Sequence, residues 1–223
     1  MNSPEDNEFN TEESVTDDNT QDIESAVSKT NAKKEIFSWI RLIVIVFVVV
    51  LVVKNFIIVN AIVPTSSMEN TIMPDDRLIG FRLAYTSSDP KRFDIVIFKY
   101  PVDETQIYIK RVIGLPGETV EISEGKIYID GSDEPLDEPY LKEEWTVENN
   151  GYVFEVPDDC YLVLGDNRNR SADSRYWADY ALMDEVAQTE EEAISYQYVS
   201  EDKILGKAIF RYWPSIGSLT SVE

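Results

Sequence analysis

Histidine is absent from all 223 residues. Without an imidazole there is no Ser–His–Asp arrangement and no Cys–His pair. Any serine nucleophile must be activated by another base, and a buried lysine is the known substitute. Cysteine is nearly absent: Cys160 stands alone, which excludes an intramolecular disulfide. Its setting, Cys160-Tyr161-Leu162-Val163-Leu164, reads as a strand and favours a buried, inert thiol. With no histidine and no cysteine pair, a transition-metal site lacks its ligands. No twelve-residue calcium-loop pattern occurs, and no cofactor or metal is expected. Positive charge is scarce as well. Twenty Lys and Arg face 42 Asp and Glu, a net charge of -22, so no nucleic-acid partner is expected, because phosphate binding needs a basic surface.

Long apolar runs are confined to one place. Residues 1–32 are rich in Glu, Asp, Asn, Ser and Thr, the composition of a disordered acidic tail. Residues 33–58 then read as a transmembrane anchor. Ile36 to Val53 is apolar apart from Ser38 and Arg41, and its uninterrupted part runs from Leu42 to Val53. Arg41 can snorkel to the headgroups, Trp39 suits the interface, and Phe56 to Val59 extends the apolar surface far enough to span a bilayer. A cleavable signal peptide fits less well, because the basic residues lie far into the chain and no small-residue cleavage motif follows. Lys29, Lys33, Lys34 and Arg41 precede the core and only Lys54 follows it. The expected topology is therefore a single pass with a cytoplasmic N-terminus and everything after residue 55 outside.

Beyond the anchor the pattern changes to short runs and period two. Arg92 to Phe98, Gln106 to Ile113, Thr119 to Ile122, Lys126 to Ile129, Tyr152 to Val156, Cys160 to Leu164 and Lys207 to Tyr212 read as strands, with a hairpin through Glu124-Gly125. Turn signals such as Pro116-Gly117, Asp130-Gly131 and Asn149-Asn150-Gly151 separate them. The predicted fold class is mainly β, a folded sheet or barrel-like body behind one N-terminal helix. Residues 178–197 differ, being Ala/Glu-rich and helical or loose in pattern.

Two words carry chemistry: Pro64-Thr65-Ser66-Ser67-Met68 and Tyr108-Ile109-Lys110-Arg111-Val112-Ile113-Gly114. A lysine serves as a base only when neutral. Bringing its pKa from about 10.4 to about 7.4 takes roughly 4 kcal/mol, which desolvation in an apolar pocket can supply. The neighbours of Lys110 are apolar enough for that. Taken alone, Lys110-Arg111 reads better as a basic step on an edge strand, and Ser67 as an ordinary loop serine.

Five segments in order shift that balance, because the chain resembles the type I signal peptidases (leader peptidases) from the anchor to Pro214. Pro64 to Met68 is similar to that family's nucleophile box, and Arg92-Phe93-Asp94-Ile95-Val96 to its next strand box. Tyr108 to Glu118 resembles the lysine box. Gly165-Asp166-Asn167-Arg168 with Ser171-Ala172-Asp173-Ser174-Arg175-Tyr176-Trp177 is similar to its most diagnostic box. Gly206-Lys207-Ala208 with Phe210 to Pro214 matches the closing strand. The resemblance implies Ser67 as nucleophile and Lys110 as general base. It implies the Ser67 N–H and the Thr65 hydroxyl as oxyanion donors, and Ser171 as the residue that aims the lysine amine. It also implies Asp173 and Arg175 as a supporting ion pair with Asp166 and Arg168 nearby, and Val63 and Ile109 as lining for small substrate side chains. It divides the body into a catalytic core (59–117 and 159–223), a small β region (118–158) and an insertion (178–197). The short, single-anchor form is similar to the Gram-positive branch. Ser66 and Phe93 stand where glycine is frequent in the family, and Thr65 where serine is commoner.

The function implied is a membrane-bound serine endopeptidase, expected as a monomer in the cell membrane. It would cut signal-peptide-bearing preproteins after a small-x-small motif. Two other readings remain open at this point. One is a self-cleaving repressor-type Ser–Lys protease, which would normally carry a DNA-binding module. The other is an inactive anchored β module.

Overall fold

The structure, a computed structural model, describes residues 16–219, with side chains from residue 34 onward. The chain divides into two compact units, Met1–Val52 and Val53–Glu223. In the first, one helix, α1 (Thr16–Val52), contains most of the apolar run. The disordered tail expected through residue 32 falls partly on residues 1–15, outside the described residues. From Thr16 onward the backbone is helical instead. Ala26, Lys29, Ala32 and Lys33 favour helix, and extending a helix costs far less than starting one. The span Lys34–Ile57 is long and apolar enough to cross a membrane, with mean hydropathy 3.0 and no burial by protein. Its 24 residues would cover about 36 Å as a helix, against a hydrocarbon core of roughly 30 Å.

The anchor was expected to reach residue 58, but its helix stops earlier. A single π turn occupies Val53–Ile57, and Ile58 already belongs to a strand. Ile58-Val59-Asn60-Ala61-Ile62 is β-branched at three positions and interrupted by Asn60, so it suits a half-buried strand better than lipid.

The second unit is antiparallel β. Its larger sheet contains β1 (Ile58–Ile62), β2 (Arg77–Phe81), β3 (Ile95–Lys99), β4 (Ile107–Gly114), β8 (Cys160–Leu164), β9 (Val199–Ser200) and β10 (Ile204–Trp213), in the order β1-β2-β10-β3-β4-β8-β9. A short β11 (Gly217–Ser218) adds to β10. The smaller sheet has β5 (Thr119–Ser123) between β6 (Lys126–Ile129) and β7 (Tyr152–Glu155). The mainly β class expected from the sequence is thus the class that forms. The predicted hairpin closes through Glu124 and Gly125, both at positive φ (48° and 75°), with Ser123 opposite Lys126. Two left-handed residues are what a two-residue turn needs to match strand twist. Strands β1 and β2 escaped the reading, the first because it abuts the anchor and the second because Arg77 and Gly80 break its pattern.

Two structural consequences matter for the site. First, β4 lies inside the sheet, not at its edge. It pairs with β3 from Ile107 to Arg111 but with β8 only from Arg111 to Gly114. The side of Ile107 to Lys110 that faces away from β3 therefore has no strand partner among the described residues. Second, three apolar clusters pack around the sheets. One surrounds Trp177, another joins the small sheet to β4 and β8, and the third buries Val63, Met68, Ile72 and Ile109 together. Most of α2 (Trp177–Met183) and all of α3 (Glu190–Ser195) lie in residues 178–197, which cover the first cluster with Ala181 of α2, Ala187 of the link and Ala193 of α3.

Trp177 lies against the rings of Phe98, Tyr100 and Tyr108, at centroid distances of 5.9, 5.4 and 6.3 Å. Its indole N–H is buried without a partner among the described residues. Trp177→Ala should cost about 3–5 kcal/mol by cavity formation. Trp177→Phe should cost less than about 1.5 kcal/mol, because it also removes the orphaned donor. Denaturant unfolding of both variants checks the difference.

Candidate active site

Ser67 follows β1 at the start of one tight turn, in which the Met68 carbonyl accepts from the N–H groups of Thr71 and Ile72. Met68 and Ile72 are fully buried and pin this turn to the core. Lys110 projects from β4, opposite Val96 of β3. Because side chains alternate along a strand, Lys110 and Arg111 enter opposite faces, and both are buried, at 4% and 1% exposure. The alternative of a solvated basic step on an edge strand therefore does not hold.

The two sequence words meet here. Lys110 Nζ donates to Ser67 Oγ at 2.9 Å and to its neighbour's carbonyl, Ile109 O, at 3.1 Å. Burial drives the lysine pKa down to about 8, while the carboxylates of Asp173 and Asp166 oppose the shift. Thr65 Oγ1 stands 3.3 Å from Ser67 Oγ. The Ser67 N–H donates to no acceptor among the described residues.

The segment after β8 supports the nucleophile turn. Asn167 N–H donates to Ser67 O at 3.0 Å, and its side-chain amide to Ser66 O at 2.9 Å. Gly165 packs so closely beneath that a Cβ there would lie 2.4 Å from Ser67 O and 2.2 Å from Ser171 Oγ. Asp173 accepts from Gly165 N–H at 3.0 Å and from Arg175 Nε at 2.8 Å. Burial alone would raise the Asp173 pKa, but the Arg175 guanidinium and these hydrogen bonds hold it below the usual carboxylate range. The Asp173–Arg175 pair is therefore present, wholly buried.

One expectation is altered in detail. Ser171 was expected to hydrogen-bond the lysine amine, yet the amine's bonds go to Ser67 and Ile109. Ser171 Oγ adjoins the Asp173 carboxylate but falls short of hydrogen-bond geometry, so it is buried without a partner. Arg168 does lie near the Asp173–Arg175 pair, its carbonyl accepting from Arg175 at 2.8 Å, and the side chains of Asp166 and Arg168 each take a partner from another element. Asp166 takes two bonds from Arg111, at 2.8 and 2.6 Å, and one from Thr71. Arg168 takes Glu138 at 2.5 Å. Arg111, Thr71, Glu138 and Tyr140, whose ring lies 3.9 Å from the Arg111 guanidinium, were not singled out from the sequence. A basic residue directly after Lys110 in a strand otherwise made of buried side chains was the available signal, since it demands a buried acid. Phe93, noted for replacing a frequent glycine, has φ of 69° and presents its carbonyl to Arg111 at 2.9 Å.

A cleft of about 510 Å³ opens over Ser67 and Lys110. Its two long walls are residues 60–65 and 106–110, and Arg170 and Ala172 close one part of it. Val63 and Ile109 line the cleft and also belong to the core cluster. Among the described residues no group of three or more Asp, Glu or Cys is placed to hold a metal ion.

The buried amine fixes the sign of a stability effect. Its pKa is depressed from 10.5 to about 8 in the folded state, so between these values the unfolded chain binds more protons and stability rises with pH. Below pH 8 the full penalty applies, about 3 kcal/mol by the size of the shift. Lys110→Met should therefore stabilise the protein by about 1–3 kcal/mol at pH 7, with the gain shrinking toward pH 10.5. Denaturant unfolding across that range tests this, and a gain independent of pH would contradict it.

A family model described as signal peptidase, peptidase S26, matches residues 36–213. A probable signal peptidase I-2 of Synechocystis is 36% identical over 211 residues, which covers 88% of this chain and 86% of that protein. The signal peptidase I of Bacillus amyloliquefaciens is 34% identical over 161 residues, covering 69% of this chain and 84% of that protein. A signal peptidase IB of Staphylococcus aureus is 31% identical over 198 residues, covering 82% and 92%. Among solved structures, a signal peptidase I from Enterococcus faecalis matches with 34% identity and a TM-score of 0.39, over 54% of this chain and 97% of that one. A model match over most of the chain, with relatives above 30% identity along most of their own length, places this protein in the signal peptidase family, peptidase S26, the serine endopeptidases that remove signal peptides from preproteins.

Proposed function

We propose that this signal peptidase works through a Ser67–Lys110 dyad at the outer face of the membrane in which Lys34–Ile57 anchors it. The observation that carries the reading is the 2.9 Å contact between a desolvated lysine amine and the Ser67 hydroxyl. Neutral Lys110 takes the hydroxyl proton as Ser67 Oγ attacks the scissile carbonyl carbon. The oxyanion that forms is held by the Ser67 N–H and the Thr65 hydroxyl, donors whose value lies in meeting charge that develops only at the transition state. Collapse breaks the C–N bond, and the Lys110 ammonium returns its proton to the leaving amine, which is the new N-terminus of the mature protein. The signal peptide remains esterified to Ser67. Water then gives a proton to Lys110 as it attacks the ester, and Lys110 passes that proton to Ser67 Oγ as the ester C–O bond breaks, which releases the signal peptide as a carboxylic acid and restores the hydroxyl and the neutral amine. Ser171, buried and unpartnered, is assigned to orienting the amine through this cycle. Asp173–Arg175 fixes the segment that carries Ser171.

Substrate lies extended in the cleft, adding main-chain hydrogen bonds to the unpaired side of Ile107–Lys110. Val63 and Ile109 line the cleft that also contains Ser67 and Lys110, apolar walls in keeping with small substrate side chains and cleavage after a small-x-small motif. Basic residues before the apolar run support a cytoplasmic N-terminus. Tethering enzyme and preprotein to one bilayer raises their effective concentration, and one protomer holds the whole dyad.

The purified full-length chain in detergent should cut a preprotein once, after a small-x-small triplet. Ser67→Ala and Lys110→Ala should each lower kcat by at least about 10³-fold, and the double variant should lose little more, because the pair acts as a unit. A rate within tenfold of wild type in either single variant would exclude the dyad. Activity depends on the neutral amine, so kcat/KM should rise with pH through a midpoint near 8, the value that burial gives Lys110. A profile flat from pH 6.5 to 9.5 would assign the base elsewhere.

A further inference from the structure

The cleft is free of acid in a very acidic protein. The chain has 42 acidic side chains and 20 basic ones, yet the cleft lining contains no Asp or Glu and two cations, Lys110 and Arg170. Once Lys110 is neutral, as its role as base requires, Arg170 is the only formal charge on that lining.

Arg170 is exposed and forms no ion pair or side-chain hydrogen bond among the described residues. Its neighbours are in the opposite condition. Arg168 is buried, with its guanidinium on Glu138 and on Gly165 O and its carbonyl on Arg175. Asn169 accepts from the N–H groups of Thr146 and Val147 and donates to Glu143 and to Glu144 O. The Arg170 backbone is tied by its own N–H to Asn167 O, at 3.0 Å. Three consecutive residues thus form one short turn in which two side chains are locked into the body and the third is left over the cleft. The fixed backbone removes the cost of ordering the turn, leaving only that of the side chain itself, and a guanidinium is suited to hold a carboxylate through two parallel bonds.

We infer that Arg170 is a specificity-determining residue that favours preproteins carrying an Asp or Glu side chain beside the scissile bond. The inference rests on the proposed peptidase reading and narrows it, from small side chains alone to small side chains with an acidic neighbour. An acidic substrate segment would otherwise meet net repulsion from residues 53–223, which have 32 acidic side chains against 16 basic ones. Arg170 supplies local attraction at the place where the substrate must dock.

The test uses the full-length enzyme and a set of synthetic peptides with one small-x-small site. Single Asp substitutions are placed at each of the four positions on either side of the cut, alongside the neutral parent and matching Lys peptides. At low salt, wild type should cleave one or two of the Asp peptides about 2–5-fold more efficiently than the parent, the range of a partly exposed ion pair. In 0.5 M salt that gain should fall as screening shortens. Arg170→Gln should bring the acidic-to-neutral ratio to about one, and Arg170→Glu should invert it in favour of Lys at the same position. A wild-type ratio of one at every position, or a preference that survives in Arg170→Gln, overturns the inference while leaving the peptidase reading intact. Failure of wild type to cleave even the neutral parent overturns the peptidase reading, and the inference with it.

Discussion

A lysine amine surrendered by water prefers to be uncharged, and the chemistry of this protein depends on that preference. The side chain of Lys110 is shut inside the sheet with its amine against Ser67 Oγ. Burial is what moves its pKa toward neutrality. No histidine exists to take over the task, so the site stands or falls on keeping one amine dry. The same desolvation that makes the lysine a usable base makes it a burden on the fold, and the two effects cannot be separated.

Keeping the amine dry is necessary but not sufficient, because nearby carboxylates would restore its proton. Two of them, Asp173 and Asp166, are close enough to raise the Lys110 pKa. Each is committed to an arginine: Asp173 to Arg175 and Asp166 to Arg111, in pairs almost without exposure. A paired carboxylate presents a dipole rather than a net charge to a third group, so its pull on the amine is weakened. Buried ion pairs of this kind add little stability in themselves. Their value here is positional, since Asp173 also holds the Gly165 N–H, and Gly165 packs directly beneath the Ser67 carbonyl.

Much of this was legible in the sequence, and the exceptions have physical causes. Strands with continuous or alternating apolar residues, such as Cys160–Leu164 and Thr119–Ser123, were readable because their burial is local in pattern. Strand β1 was hidden by its neighbour: its apolar residues run on from the anchor, and only Asn60 and the pairing with β2 set them apart from it. The Ser67–Lys110 meeting was implied by resemblance and by the absence of imidazole, but a sequence separation of 43 carries no geometric signal. The arginine web was harder still. That Arg111 would choose Asp166, and Arg168 would choose Glu138, depends on side-chain direction across different elements, which no sequence pattern states. Ser171 shows the limit from another side, because the hydrogen bond expected from it to the lysine amine is not made.

The residues from Gly165 to Trp177 explain why a short segment can resemble its family so closely. Each position meets a constraint from a different part of the molecule. Gly165 needs the absence of a side chain, and Asn167 needs an amide long enough to reach Ser66 O. Asp166 must meet the guanidinium that enters from the far face of β4, Asp173 must meet Arg175, and Trp177 must fill the aromatic cluster behind them. A substitution at any of these breaks a contact whose partner is buried and has no water to turn to. Arg170 is different within the same stretch, because its side chain answers to no internal partner among the described residues. A segment this constrained can vary only where it faces the cleft, and variation there reaches the substrate without disturbing the dyad.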